Sequence, residues 1–228
     1  MIKNLLIDLD DTIFDFHLAE KIALSKTLND FGIEPSLDVV TAYSEINASL
    51  WRQLEAGTMT REAVLVGRFE ILFSKLQILA DAKEARRSYE KNLSRGHYFT
   101  DGAEELLKKL YGSKRLYLAS NGTASVQRPR IDSSGIEKYF DGIFISEEVG
   151  FNKPDERFFE AIFNTIPEFK KEETLILGDS LTSDIKGGID SGILTCYFNA
   201  RGKSADGGIT PHFTVDSLYE IPKLLKSL

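Results

Sequence analysis

The stretch LLIDLDDTIFD near the N-terminus constrains the fold more than any other part of the chain. A short apolar run, Ile2 to Ile7, has no helical spacing and ends in Asp8, Asp10 and Asp11, with Thr12 beside them. That pattern predicts a strand buried on both faces of a parallel sheet. The carboxylates would then sit at its carboxyl end, the edge where open α/β sheets bind ligands. Acidic side chains held so closely repel one another, and their pKa values rise unless a cation lies between them. All-oxygen ligands suit a hard ion such as magnesium, which is usually held by one or two carboxylates plus water and substrate phosphate.

The length of 228 residues is enough for one large domain or two small ones. A formal charge of −7 and the lack of a long Lys/Arg cluster argue against binding polymeric nucleic acid, which requires a basic surface. The single cysteine, Cys196, excludes an internal disulfide and fits a reducing compartment. No stretch has the pattern of a signal peptide or the length of a membrane span, so a cytoplasmic location is expected.

From residue 16 to residue 96 the apolar spacing turns helical. Leu24, Leu28 and Phe31 share one face of a first helix that Gly32 can end. A second helix starts near Ser36. A third starts at Thr60, whose hydroxyl can cap it while Met59 packs on Val64, and a fourth covers 81–94. A helical insert of this size exceeds the single crossover helix of a βαβ unit. It predicts a small helical domain, 16–96, inserted into a core made of 1–15 and 97–228. Leaving the chain directly after the acidic strand end, the insert should lie over it as a lid, with hinges near 14–16 and 94–97. Tyr43, Trp51, Phe69, Phe14 and Phe16 could offer a nucleobase an aromatic platform, although most should be core.

Beyond Gly96 strands and helices alternate. Strands are expected at RLYLA (115–119), GIFIS (142–146), TLIL (174–177), 194–198 and 212–215. The fold class is therefore α/β, a doubly wound, mostly parallel, Rossmann-like sheet interrupted by an all-helical insert. Pro129 should make the helix after Ser120 begin late or kink. Arg128 and Arg130 beside it suggest solvated positions or substrate contacts. Polar residues again fall at strand ends: Ser120 and Asn121, then Lys153 before Pro154, then Gly178, Asp179 and Asp184. The glycine would allow close backbone approach to a ligand.

Phosphoryl transfer through a covalent aspartyl phosphate needs this set. Asp8 is the candidate nucleophile, and Asp10 the acid and base. Asp8, the backbone carbonyl of Asp10 and Asp179 are the candidate magnesium ligands. Lys153, the Ser120 hydroxyl and the Asn121 backbone amide would bind the phosphoryl oxygens. Asp184 would orient Lys153 or a metal-bound water, and Thr12 would support the site from behind.

With DLDDT, SNG, Lys153-Pro154 and GDSLTSD in this order, the chain resembles the haloacid dehalogenase superfamily of phosphatases, and the insert resembles its type-one cap. LWRQLEAGTMTREAVLVGRF (50–69), YFDGIFISEEVGFNKPD (139–155), GDSLTSDIKGG (178–188) and FNARGK (198–203) are most similar to bacterial 5'-nucleotidases acting on pyrimidine and non-canonical nucleoside monophosphates. The resemblance implies a magnesium-dependent phosphomonoesterase for a small substrate. A sugar-phosphate phosphatase or phosphomutase would carry the same motifs. A receiver-like module is disfavoured by the insert and the D-x-D spacing, a silent phosphate-binding module by the completeness of the motifs, and a dehalogenase by the second Asp.

Overall fold

The computed structural model describes residues 1–202 and 208–228, so Lys203, the last residue of FNARGK, lies outside the described residues. The N-terminal aliphatic run forms β1 (Asn4–Ile7), buried along its whole length. It belongs to a six-stranded sheet with β2 (Arg115–Ser120), β3 (Gly142–Ile145), β4 (Thr174–Gly178), β5 (Leu194–Phe198) and β6 (Phe213–Val215). All pairs are parallel, in the order β3-β2-β1-β4-β5-β6. Leu5 of β1 stands level with Leu116 on one side and Leu175 on the other. Because β1 is the strand from which the sheet grows in both directions, a crevice opens at its carboxyl end.

Successive side chains of a strand face opposite layers, which is why these strands read as continuous apolar runs. Leu5 and Ile7 pack with Leu118 and Leu177 against Leu107 of α5 (Ala103–Leu110) and Ile221 of α10 (Ile221–Ser227). Leu6 faces the other way, toward Ile176 and the Phe158, Phe159 and Ile162 side of α8 (Glu156–Phe163), with Val149 of the one-turn α7 (Ser146–Val149) packed beside them. The short α9 (Lys186–Asp190) approaches closely because Gly187 has no Cβ. An added methyl there would meet the Phe159 ring and the Pro154 backbone.

Between β1 and β2 run α1 (Phe16–Asp30), α2 (Leu37–Glu55), α3 (Arg61–Leu76) and α4 (Ala82–Leu93). The helices begin and end where expected, each held by a local cap. Ser36 Oγ accepts the Val39 amide, Thr60 Oγ1 accepts that of Ala63, and Gly32 follows α1 with φ 67°. These helices share a core of their own around Leu24, Leu28 and Leu72, in which the rings of Tyr43, Phe69 and Tyr89 stand 5.2–5.7 Å apart. Met59 packs against Val64, as the staple requires.

The expected late start of the helix around Pro129 is overturned. That helix, α6, spans Ala124–Ser134 and carries Pro129 in its interior. The Thr123 carbonyl accepts the amides of both Val126 and Gln127, so the first turn closes before the proline is reached. No helix among the described residues is long and apolar enough to cross a membrane.

Candidate active site

The chain coils tightly as it leaves β1: the amides of Ile13 and Phe14 both donate to the Leu9 carbonyl, and Asp11 takes φ 58°. Aspartate tolerates that left-handed conformation better than most residues. The turn separates the three acids. Asp11 faces the start of α1, accepting the Phe16 amide at 3.1 Å and pairing with His17 at 2.7 Å. That contact pushes the His17 pKa up. Thr12 is fully buried, and its Oγ1 has no hydrogen-bond partner among the described residues.

Asp8 remains at the strand end, where it meets Asp179 and Asp184. One carboxylate oxygen from each lies within 4.8 Å of the others. Lys153, 1% exposed, sits among them, donating from Nζ to Asp8 Oδ1, Asp184 Oδ1 and the Ala119 carbonyl, each at 2.6 Å. The second Asp184 oxygen accepts the Ser180 amide at 3.1 Å. Gly178 serves this packing rather than approach by a ligand, since a Cβ there would overlap the Asp184 carboxylate. Asn121 holds the Lys153 backbone from both sides, accepting its amide at 2.8 Å and donating to its carbonyl at 2.9 Å. Burial raises the Asp8 pKa well above the usual carboxylate range, opposed by Lys153 and reinforced by Asp184 and Asp179. For Lys153 burial works against the charge, but Asp184 and Asp8 outweigh it and the ammonium is held charged.

Asp10 is gripped from α6. Gln127 Nε2 donates to its Oδ2 at 2.6 Å and to Ser120 Oγ at 2.9 Å. Arg130 Nη1 donates to Asp10 Oδ1 and to Gln127 Oε1, both at 2.7 Å. Arg130 is completely buried, which overturns the solvated reading of this residue. Arg128 does lie at the surface, paired with Glu148 at 2.6 Å. Sequence reasoning missed Gln127 and Arg130 as a pair, although their spacing of three places both on one helical face. It also missed Arg61 at the start of α3, which donates to the carbonyls of Asn121 and Gly122 at 2.9 and 3.0 Å. Its other nitrogen donates to Ser146 Oγ and Asn152 Oδ1, both at 2.5 Å.

Asp8, Asp10, Ser120, Lys153 and Asp179 line a single cavity of about 490 Å³ that continues under the helical insert to Phe16, Glu20, Asn47, Trp51 and Arg68. Tyr43, Phe69 and Phe14 are fully buried as core, so of the expected aromatic platform only Trp51 and Phe16 line the cavity. In the insert wall the Glu20 carboxylate accepts Ser44 Oγ at 2.5 Å and Asn47 Nδ2 at 2.7 Å. Burial nevertheless raises its pKa above the usual 4.5. A carboxyl with a raised folded-state pKa loses stability as pH climbs from the unfolded value through the folded one. Glu20→Gln keeps the shape without the charge. It should melt above the parent protein at pH 8, with the gap closing toward pH 5; a gap that is constant with pH would contradict this.

A family model for haloacid dehalogenase-like hydrolases matches residues 2–192. The chain belongs to that family. HAD-hydrolase YfnB of Bacillus subtilis is 40% identical over 223 residues, covering 98% of this chain and 95% of YfnB. Pyrimidine 5'-nucleotidase PynA of Streptococcus pneumoniae is 37% identical over 220 residues (96% and 93%). Pyrimidine 5'-nucleotidase YjjG of Escherichia coli is 29% identical over 218 residues (96% and 95%). A crystal structure of YfnB bound to magnesium, in a form revealing interdomain movement, superposes with a TM-score of 0.94 at 39% identity, covering 98% of both chains. The HAD fold with its helical insert is thus common to this chain and YfnB.

Proposed function

We propose that this HAD hydrolase is a magnesium-dependent phosphomonoesterase that works through an aspartyl phosphate on Asp8, with pyrimidine or non-canonical nucleoside 5'-monophosphates as substrates. The observation that carries the reading is the single cavity: the acidic cluster and Lys153 occupy one end, and Trp51 with polar groups of the insert occupies the other. The names of PynA and YjjG favour a pyrimidine nucleotide as its occupant.

Three carboxylates around one ammonium leave excess negative charge, and their hard oxygen donors fit magnesium. Asp8, the Asp10 carbonyl and Asp179 would hold the ion, which when bound supplies charge neutralisation for a phosphate arriving at a carboxylate. In the first step an Asp8 oxygen bonds to phosphorus, the bond to the ester oxygen breaks, and the Asp10 carboxyl gives that oxygen its proton. In the second, water bonds to phosphorus, its proton passes to Asp10, and the bond to Asp8 breaks, releasing phosphate. Lys153, the Ser120 hydroxyl and the Asn121 backbone amide orient the phosphoryl oxygens. Asp184 keeps Lys153 in place.

In this reading residues 16–96 are a lid on a core of 1–15 and 97–228, and Arg61 latches it to the loops after β2 and β3. Phosphate release from a panel of nucleoside monophosphates and sugar phosphates, with magnesium and with a chelator, tests the proposal. Magnesium-dependent preference for pyrimidine monophosphates is expected. Faster release from sugar phosphates would overturn the substrate, and no release from any of them would overturn the activity.

A further inference from the structure

The acid and base of such a reaction must hold its carboxyl within hydrogen-bond reach of a proton in transit, and a freely rotating aspartate spends little time there. Asp10 is not free. Its side chain is 28% exposed, open on the cavity side and held behind by two donors, one on each oxygen. An ionised carboxylate has about four acceptor sites. Two face α6, and the others remain for the proton.

The donors are themselves fixed. Gln127 is oriented at both ends, by Arg130 at its carbonyl and by Ser120 at its amide. Its approach depends on Gly122, where a Cβ would collide with the Gln127 side chain. Arg130 donates from Nε to the Gly96 carbonyl at 2.6 Å, and its guanidinium lies 5.2 Å from the Phe14 ring centre. Phe14 and Gly96 lie on the two chain segments that connect the helical insert to the sheet, and these segments are joined by the Asp15 amide donating to the Tyr98 carbonyl. A fully buried arginine on an interior helix face is costly unless its charge is paired. Here the pair is a carboxylate that opens onto the cavity.

We infer that Gln127 and Arg130 are positioning residues that fix the Asp10 carboxyl for proton transfer to the departing ester oxygen, and that Arg130 anchors this arrangement to the connectors of the helical insert. The inference rests on the reading of Asp10 as the proton donor proposed above.

Leaving groups of different basicity test it. An alkyl ester oxygen, as in a nucleoside 5'-monophosphate, needs a proton to leave, whereas p-nitrophenolate leaves without one. kcat/KM reports the steps through departure of the leaving group. For Gln127→Met and Arg130→Lys, kcat/KM on the nucleotide should fall by about 100-fold, in the range of a lost general acid. The fall on p-nitrophenyl phosphate should be at least tenfold smaller. Equal losses on both esters, or no loss on either, would overturn the inference. Gln127→Met buries no unpaired charge and keeps the test open if Arg130→Lys does not fold. Asp10→Asn measured alongside separates the two readings. If it discriminates between the esters and the α6 variants do not, the positioning role falls and the acid role of Asp10 stands. If Asp10→Asn itself treats both esters alike, the acid role falls and takes the positioning role with it.

Discussion

Replacing Asp8 by asparagine should abolish turnover, lowering kcat by at least about 10⁴-fold, and should leave no acyl phosphate to trap on the protein. The exchange is nearly isosteric. The amide oxygen of Asp8→Asn can still accept from Lys153 Nζ, which keeps its 2.6 Å contacts to Asp184 and the Ala119 carbonyl. What disappears is an anionic oxygen able to form a bond to phosphorus. Stability should move the other way, because Asp8 is buried and its charged form is disfavoured by desolvation and by two neighbouring carboxylates. A neutral amide avoids that cost, so the inactive variant should melt at or above the temperature of the parent. Rapid acid quench after mixing with radiolabelled substrate checks the chemistry, and calorimetry checks the fold. Appreciable residual turnover in a folded variant would remove Asp8 from the nucleophile's role.

The parts of this site that were legible in the sequence are those imposed by strand ends. A buried parallel strand has no polar side chains to spare, so Asp8, Ser120 and Asp179 stand out at the point where the chain leaves the sheet. The doubly wound order then brings strands distant in sequence side by side, and one edge collects the motifs. The helical insert was legible for a similar reason: Ser36, Thr60 and Asp81 are local caps, and a cap is decided within one turn. What was hidden depends on tertiary contacts. Arg130 reads as a surface arginine until its chain neighbours in space, Phe14 and Gly96, are known. Gly178 reads as room for a ligand, yet the room is taken by a side chain six residues further on. Arg61 lies 60 residues from Asn121, and no local pattern announces that pairing. The three aspartates of the first motif look equivalent as letters, whereas the turn at Asp11 turns one toward the start of α1 and leaves Asp8 to Lys153 and Asp10 to α6.

Lys153→Met should have the largest effect on stability. Methionine keeps most of the lysine's buried stem, so the loss is that of the ammonium and its three hydrogen bonds. Asp8 and Asp184 would then face each other, buried and without their cation, a situation that typically costs about 3–5 kcal/mol. The melting temperature should fall accordingly at neutral pH in the presence of a chelator. The proposed magnesium site exists in the folded state alone, so magnesium should raise the melting temperature of Lys153→Met more than that of the parent, because the lost positive charge strengthens the site's affinity for a cation. Turnover behaves differently. The ammonium is proposed to touch the phosphoryl oxygens directly, so restoring charge at the proposed metal site would not restore that contact. A loss of kcat of about 10³-fold should therefore persist at saturating magnesium. Melting curves and turnover measured across the same magnesium titration separate the two roles. If stability and activity recovered together, Lys153 would act only as a counter-charge. If neither changed on substitution, the buried pair would not organise the site at all.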